Sequence, residues 1–121
     1  MSSELPLDRE WLTSLCSAGT SFLRDLLWLF KDQSHNYIRT LRSATLQKNE
    51  ELCALTHKLK GSASSLGLKR LAALTQEFEN HIRAGVESES DLRRRAEVLE
   101  SEINTGATAV AHYIEEIDKH K

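Results

Sequence analysis

Residues 50–66 read EELCALTHKLKGSASSL, and the fold turns on how this stretch is read. Leu52, Leu55, Leu59, Ala63 and Leu66 recur at helix spacing. At about 100° per residue, all of them fall within about 60° of Leu52. Asn49 suits an N-cap, and Glu50 and Glu51 suit the positive end of a helix dipole. Gly67 stops the pattern. The spacing therefore predicts a helix over about 50–66 with one apolar stripe. His57 falls at about 140° from Leu52, Lys60 at about 80°, Gly61 at about 180° and Ser64 at about 120°. These four residues share the face away from the core.

Gly61 makes that face informative. A glycine inside a helix costs roughly 1 kcal/mol relative to alanine. Nothing in the core asks for a small residue at this angle. Its missing side chain clears the approach to His57, one turn away, and Ser62, Ala63, Ser64 and Ser65 keep the next turn small. Lys60 can project an ammonium into the same space and hold an anion there. An exposed imidazole with cleared access and a cation beside it suits a nucleophile that carries a phosphoryl group. The competing reading of His57 is an inert surface histidine.

Outward from this stretch, every periodic segment has the helix period. A short segment over about 8–17 is capped by Asp8, with Trp11, Leu12 and Leu15 on one face, and Gly19 ends it. A long segment over about 21–46 follows, with Thr20 as its expected cap. Leu23, Leu26, Leu27, Phe30, Tyr37, Ile38 and Leu41 are its core, and Phe22, Trp28 and Leu29 widen its apolar part. The short first helix is the expected cover for that extra apolar surface; a docking patch is the other reading. A fourth segment runs over about 69–84, with Leu71, Leu74, Phe78 and Ile82 inward and Gly85 at its end. The last runs over about 90–118, with Ser88 and Asp91 resembling a capping box. Leu92, Ala96, Leu99, Ile103, Val110, Tyr113 and Ile117 form its seam, and Gly106 admits a close neighbour. The expected fold is all-α: an antiparallel four-helix bundle with an additional short N-terminal helix. The chain reads as a single domain over 1–121, with fraying ends at about 1–7 and 118–121.

The third and fourth segments meet at a turn near Gly67 and Leu68. His57 lies eleven residues before Leu68 and Glu79 eleven after, so an antiparallel hairpin sets them at one height. A carboxylate accepting from Nδ1–H would leave Nε2 as the free lone pair. Gln76, one turn earlier, is a possible second orienter. On geometry alone, Glu79 is either that partner or a solvated flank charge.

The run His57-Lys58-Leu59-Lys60-Gly61, the small residues after it and the Gly67-Leu68 turn resemble the signature of histidine phosphotransfer (HPt) domains. The closest likeness is to those at the C-terminus of bacterial hybrid sensor kinases. The resemblance implies that His57 is the phosphoacceptor and that Lys60 steadies the phosphoryl group. It implies that Gly61 lets a receiver domain approach, and that Glu79 bonds the histidine Nδ1. It further implies a phosphocarrier rather than an enzyme, taking a phosphoryl group from one response-regulator receiver aspartate and passing it to another. A histidine kinase feeds the relay. Mg²⁺ is expected in the partner receiver, and the domain has no cofactor of its own.

Composition agrees with that class and narrows the rest. The formal net charge of −2 supplies no global field for nucleic acid or an anionic membrane. No apolar run approaches the roughly 20 residues of a membrane span. Cys16 and Cys53 lie far apart and read as two reduced thiols. No GxxxxGK[ST] run marks an ATP site, and no histidine–cysteine spacing suggests zinc. The expected setting is cytoplasmic, including the cytoplasmic part of a membrane-bound sensor kinase, and the expected state is a monomer. Lys58, Lys60, Lys69 and Arg70 surround the hairpin and would draw an acidic partner; Lys69 and Arg70 are read as ordinary solvated charges. His35, His81, His112 and His120 lack the lysine and glycine context, and His112, beside Tyr113 near the seam, reads as a packing or boundary residue. The docking face is expected to include Cys53, Thr56 and Ser64 with part of the second segment. Two other readings stand beside this one. The first is a non-catalytic helical adaptor anchored by Trp28 and Leu29. The second is a chemotaxis-kinase-type HPt domain phosphorylated directly by an ATP-binding domain.

Overall fold

In the computed structural model, which describes residues 7–17, 19–85 and 88–119, every regular element is helical. The order is α1 (Arg9–Leu15), α2 (Ser21–Arg42), a 3₁₀ turn (Leu46–Lys48), α3 (Asn49–Ser65), α4 (Lys69–Ala84) and α5 (Glu89–Lys119). α2 packs against α3 and α5, and α4 packs against the same two helices. The four long helices thus close an antiparallel ring around one core. Phe30 of α2, Leu52 and Leu59 of α3, Leu71 of α4, and Leu99, Ile103 and Val110 of α5 are sealed at its centre. Two buried hydroxyls return to their own helix: Ser34 Oγ donates to the Phe30 carbonyl at 2.7 Å and Thr75 Oγ1 to the Leu71 carbonyl at 2.7 Å.

The α3–α4 turn is the best-anchored point of the hairpin. Leu68 N donates to the Ala63 carbonyl at 2.8 Å and Gly67 N to the Ser64 carbonyl at 3.1 Å. With Gly67 at φ +67°, this is a Schellman ending. Asp8 N donates to the Gly67 carbonyl at 2.7 Å, and Trp11 Nε1 donates to the Ser65 carbonyl at 2.9 Å. From the other side, Leu68 packs on Gly106, where a Cβ would stand 3.0 Å from Leu68 Cδ1. Gly106 therefore admits the tip of the turn rather than a whole neighbouring helix.

Several expectations need correction. α1 packs on α2 but does not cover the residues that widen its apolar part. Its tryptophan is spent on the α3–α4 turn, and Phe22, Trp28 and Leu29 stay 54%, 69% and 46% exposed. α2 ends at Arg42, four residues short of the expected Leu46, because the chain turns extended at Thr45. Asn49 is not a side-chain cap: the 3₁₀ turn runs straight into α3, and Lys48 holds the cap position. Thr20 makes no cap hydrogen bond; its Oγ1 donates to Asp118 Oδ1 at 3.0 Å, beside an Arg24–Asp118 ion pair. Ser88 Oγ does accept from Asp91 N at 3.1 Å, but the Asp91 carboxylate turns to Arg95 and Arg94. Arg95 foremost holds that carboxyl below its usual range. The expected fraying at 1–7 and 118–121 lies mostly outside the described residues. Within them, Leu7 is buried and α5 continues to Lys119.

Candidate functional site

The apolar stripe of α3 turns inward as its spacing requires. Leu52, Leu55, Leu59 and Ala63 are buried, while His57, Lys60, Gly61 and Ser64 are exposed. His57 reaches solvent from the middle of the helix, and its ring makes no hydrogen bond to another described residue. A Cβ built on Gly61 would meet nothing within 4 Å. No internal contact therefore excludes a side chain there, and the open space lies on the outside of α3, one turn from the imidazole.

Across the hairpin, Lys60 Nζ donates to Gln76 Oε1 at 2.5 Å. Lys60 is eight residues before Leu68 and Gln76 eight after, so this bond displays the register that levels His57 with Glu79. The level is right, but no hydrogen bond joins the two side chains. Glu79 instead accepts from Gln76 Nε2 at 3.3 Å through Oε1 and from Arg83 at 3.1 Å through Oε2. Gln76 Nε2 also donates to Asn80 Oδ1 at 2.9 Å. Gln76 thus touches the lysine and the glutamate and makes no bond to the ring.

The local charge is cationic. Lys69 pairs with Asp8 at 3.5 Å and Arg70 with Glu102 at 2.5 Å, which neutralises both. Lys58 is exposed, and Lys60 leans on a neutral amide, so positive charge remains beside His57. Of the three α3 residues expected on a docking face, Ser64 is exposed and Cys53 is half-buried, but Thr56 is sealed at 1% exposure. It lies only about 40° from Leu52, on the core side of the wheel, and its Oγ1 returns to the Cys53 carbonyl at 2.8 Å. His112 is exposed as well, 3.9 Å from Glu115, which overturns the packing half of the packing-or-boundary reading. His35 and His81 are also exposed, so exposure alone does not distinguish His57; His120 lies outside the described residues. Among the described residues, no group of three His, Cys, Asp or Glu side chains gathers to hold a metal ion, and no helix is long and apolar enough to cross a membrane.

Sequence reasoning missed two contacts. The Arg83–Glu79 pair was readable from its i,i+4 spacing with the acid first. The Trp11–Ser65 bond crosses 54 residues and left no local signal.

Fold and site together define a helical bundle that presents a histidine, a lysine and an open glycine on one face of its central hairpin. The chain belongs to the Hpt domain family, whose model matches residues 25–120. Domains of this family carry phosphoryl groups on histidine within phosphorelays; they work with response-regulator receiver domains and kinases, as phosphocarriers rather than catalysts. The match includes the whole α3–α4 hairpin and leaves α1 outside it. Comparison with curated proteins and with solved structures gave no match.

Proposed function

We propose that His57 is the phosphoacceptor of this domain, taking a phosphoryl group from one receiver aspartate and delivering it to another. The observation that carries the proposal is Gly61: an exposed helix glycine beside an exposed histidine, with no internal neighbour that would exclude a side chain. In the forward step the Nε2 lone pair attacks phosphorus. The bond from phosphorus to the aspartyl oxygen breaks, and the carboxylate leaves with the electron pair. Nδ1 keeps its proton and makes a hydrogen bond with it to Glu79, so the ring's positive charge faces a carboxylate. Lys60 meets the phosphoryl oxygens. The receiver contributes its acidic pocket and Mg²⁺. The return step is the same displacement run toward the second aspartate.

The receiver docks on the α2–α3 side of His57. A groove lined by Leu26, Leu29, Gln33, Ser62 and Ser65 runs there, with exposed Phe22 on the same flank of α2. Trp28 turns about 100° from Leu29 and faces elsewhere, which separates the two anchors an adaptor would use. The domain acts as a monomeric single unit in a cytoplasmic relay of the hybrid-kinase type. The test is reconstitution with a receiver, its kinase and ATP. An acid-labile, base-stable phosphate should appear on the native chain and disappear with His57→Gln. Label that persists without His57, or no label from several receivers, would remove the proposal in favour of the adaptor reading.

A further inference from the structure

We infer that Arg83 is a positioning residue that competes with His57 for the Glu79 carboxylate. The inference rests on the phosphocarrier reading and adds a resting arrangement of the same site.

Glu79 stands level with His57, yet both of its oxygens are engaged along α4 instead of across the hairpin. Gln76 donates to Oε1 from one turn nearer the α3–α4 turn, at 3.3 Å. Arg83 donates to Oε2 from one turn farther, at 3.1 Å. The Glu79 side chain is only 14% exposed, whereas Arg83 is 67% exposed. A carboxylate so far removed from water needs a donor, and Arg83 supplies the charged one. Among the described residues, none hydrogen-bonds the imidazole across from it. The chain Lys60–Gln76–Glu79–Arg83 therefore describes the protein before phosphorylation, with the lysine and the carboxylate both occupied away from the ring.

Phosphorylation at Nε2 places positive charge on the ring and makes Nδ1–H a stronger donor. The carboxylate can then exchange Arg83 for His57 without leaving its level on α4. The charged groups nearest His57 in sequence or across the hairpin are Lys58 and Lys60 on α3 and, at the level of the ring or one turn beyond it on α4, Glu79 and Arg83. Of these, only Arg83 both contacts Glu79 and carries a charge the ring must displace.

The test is the tautomer ratio of the neutral His57 ring, read from its two ¹⁵N shifts in the intact domain. Arg83→Leu should raise the Nδ1–H fraction about twofold, the scale of an i,i+4 ion pair. Arg83→Lys should restore the native ratio, and Glu79→Ala added to Arg83→Leu should cancel the gain, because alanine leaves no side-chain acceptor for Nδ1–H. Arg83 is exposed and pairs with no described residue but Glu79, so these variants should fold. If Arg83→Leu leaves the ratio unchanged while Glu79→Ala alters it, the competition is wrong and the phosphocarrier reading stands. If Glu79→Ala also leaves it unchanged, Glu79 does not serve the ring and the inference falls with that role. Absence of phosphate on His57 in the reconstituted relay would overturn the parent reading separately.

Discussion

At the scale of single residues, Gly61 separates stability from function. A Cβ there meets nothing, so Gly61→Ala should raise stability by about 1 kcal/mol through helix propensity. In thermal unfolding that corresponds to a rise of roughly 4 °C. Gly61→Leu should also fold, yet slow transfer by about 10²-fold, because a side chain in the approach to His57 displaces the incoming phosphorus by an ångström or more. A structural glycine would show the reverse: lost stability with transfer intact. His57, Lys60 and Gly61 were legible because a helix wheel needs only the sequence. The Glu79 level was legible because a short turn fixes hairpin register. Which partner Glu79 holds was not legible, since Gln76, Arg83 and His57 are all within reach and their competition is decided by side-chain geometry.

Among the elements, the α3–α4 turn sets the register that brings Lys60 to Gln76. Gly67 is in the left-handed region, and an added Cβ would stand 3.2 Å from the Asp8 carbonyl oxygen and 3.3 Å from Trp11 Cδ1. Gly67→Ala should therefore destabilise the domain by about 1–2 kcal/mol, measured by urea unfolding. Trp11→Phe keeps an aromatic ring and removes the bond to the Ser65 carbonyl. It should cost about 1 kcal/mol and speed amide exchange at the α1 end. α4 was placed at its observed limits because Gly67 and Gly85 punctuate it on both sides. The end of α2 was misplaced because apolar periodicity carries on past Arg42, while Thr45 adopts an extended backbone. The role of α1 was misread for a related reason: periodicity identifies an apolar face and not the surface that receives it.

For the whole molecule, stability comes from the ring of four long helices. The surface ion pairs, such as Arg9–Glu116 at 3.4 Å with both partners more than half exposed, contribute little. Ile103 is fully buried at the centre of α5. Ile103→Ala should cost about 2–5 kcal/mol in urea unfolding, while the Arg9–Glu116 double substitution should change stability by less than about 1 kcal/mol. The bundle itself was legible because all four stripes keep one period. Surface roles were not, because exposed Phe22 and Trp28 satisfy the same apolar count as core residues would.

The central claim is that Nε2 of His57 receives the phosphoryl group while Nδ1 keeps its proton. The most direct measurement is ¹⁵N–³¹P correlation spectroscopy on the histidine-labelled domain after transfer from a phosphorylated receiver. The account predicts coupling from phosphorus to His57 Nε2 alone, with Nδ1 protonated. Coupling to Nδ1, or to the ring of His35, His81, His112 or His120, would contradict it.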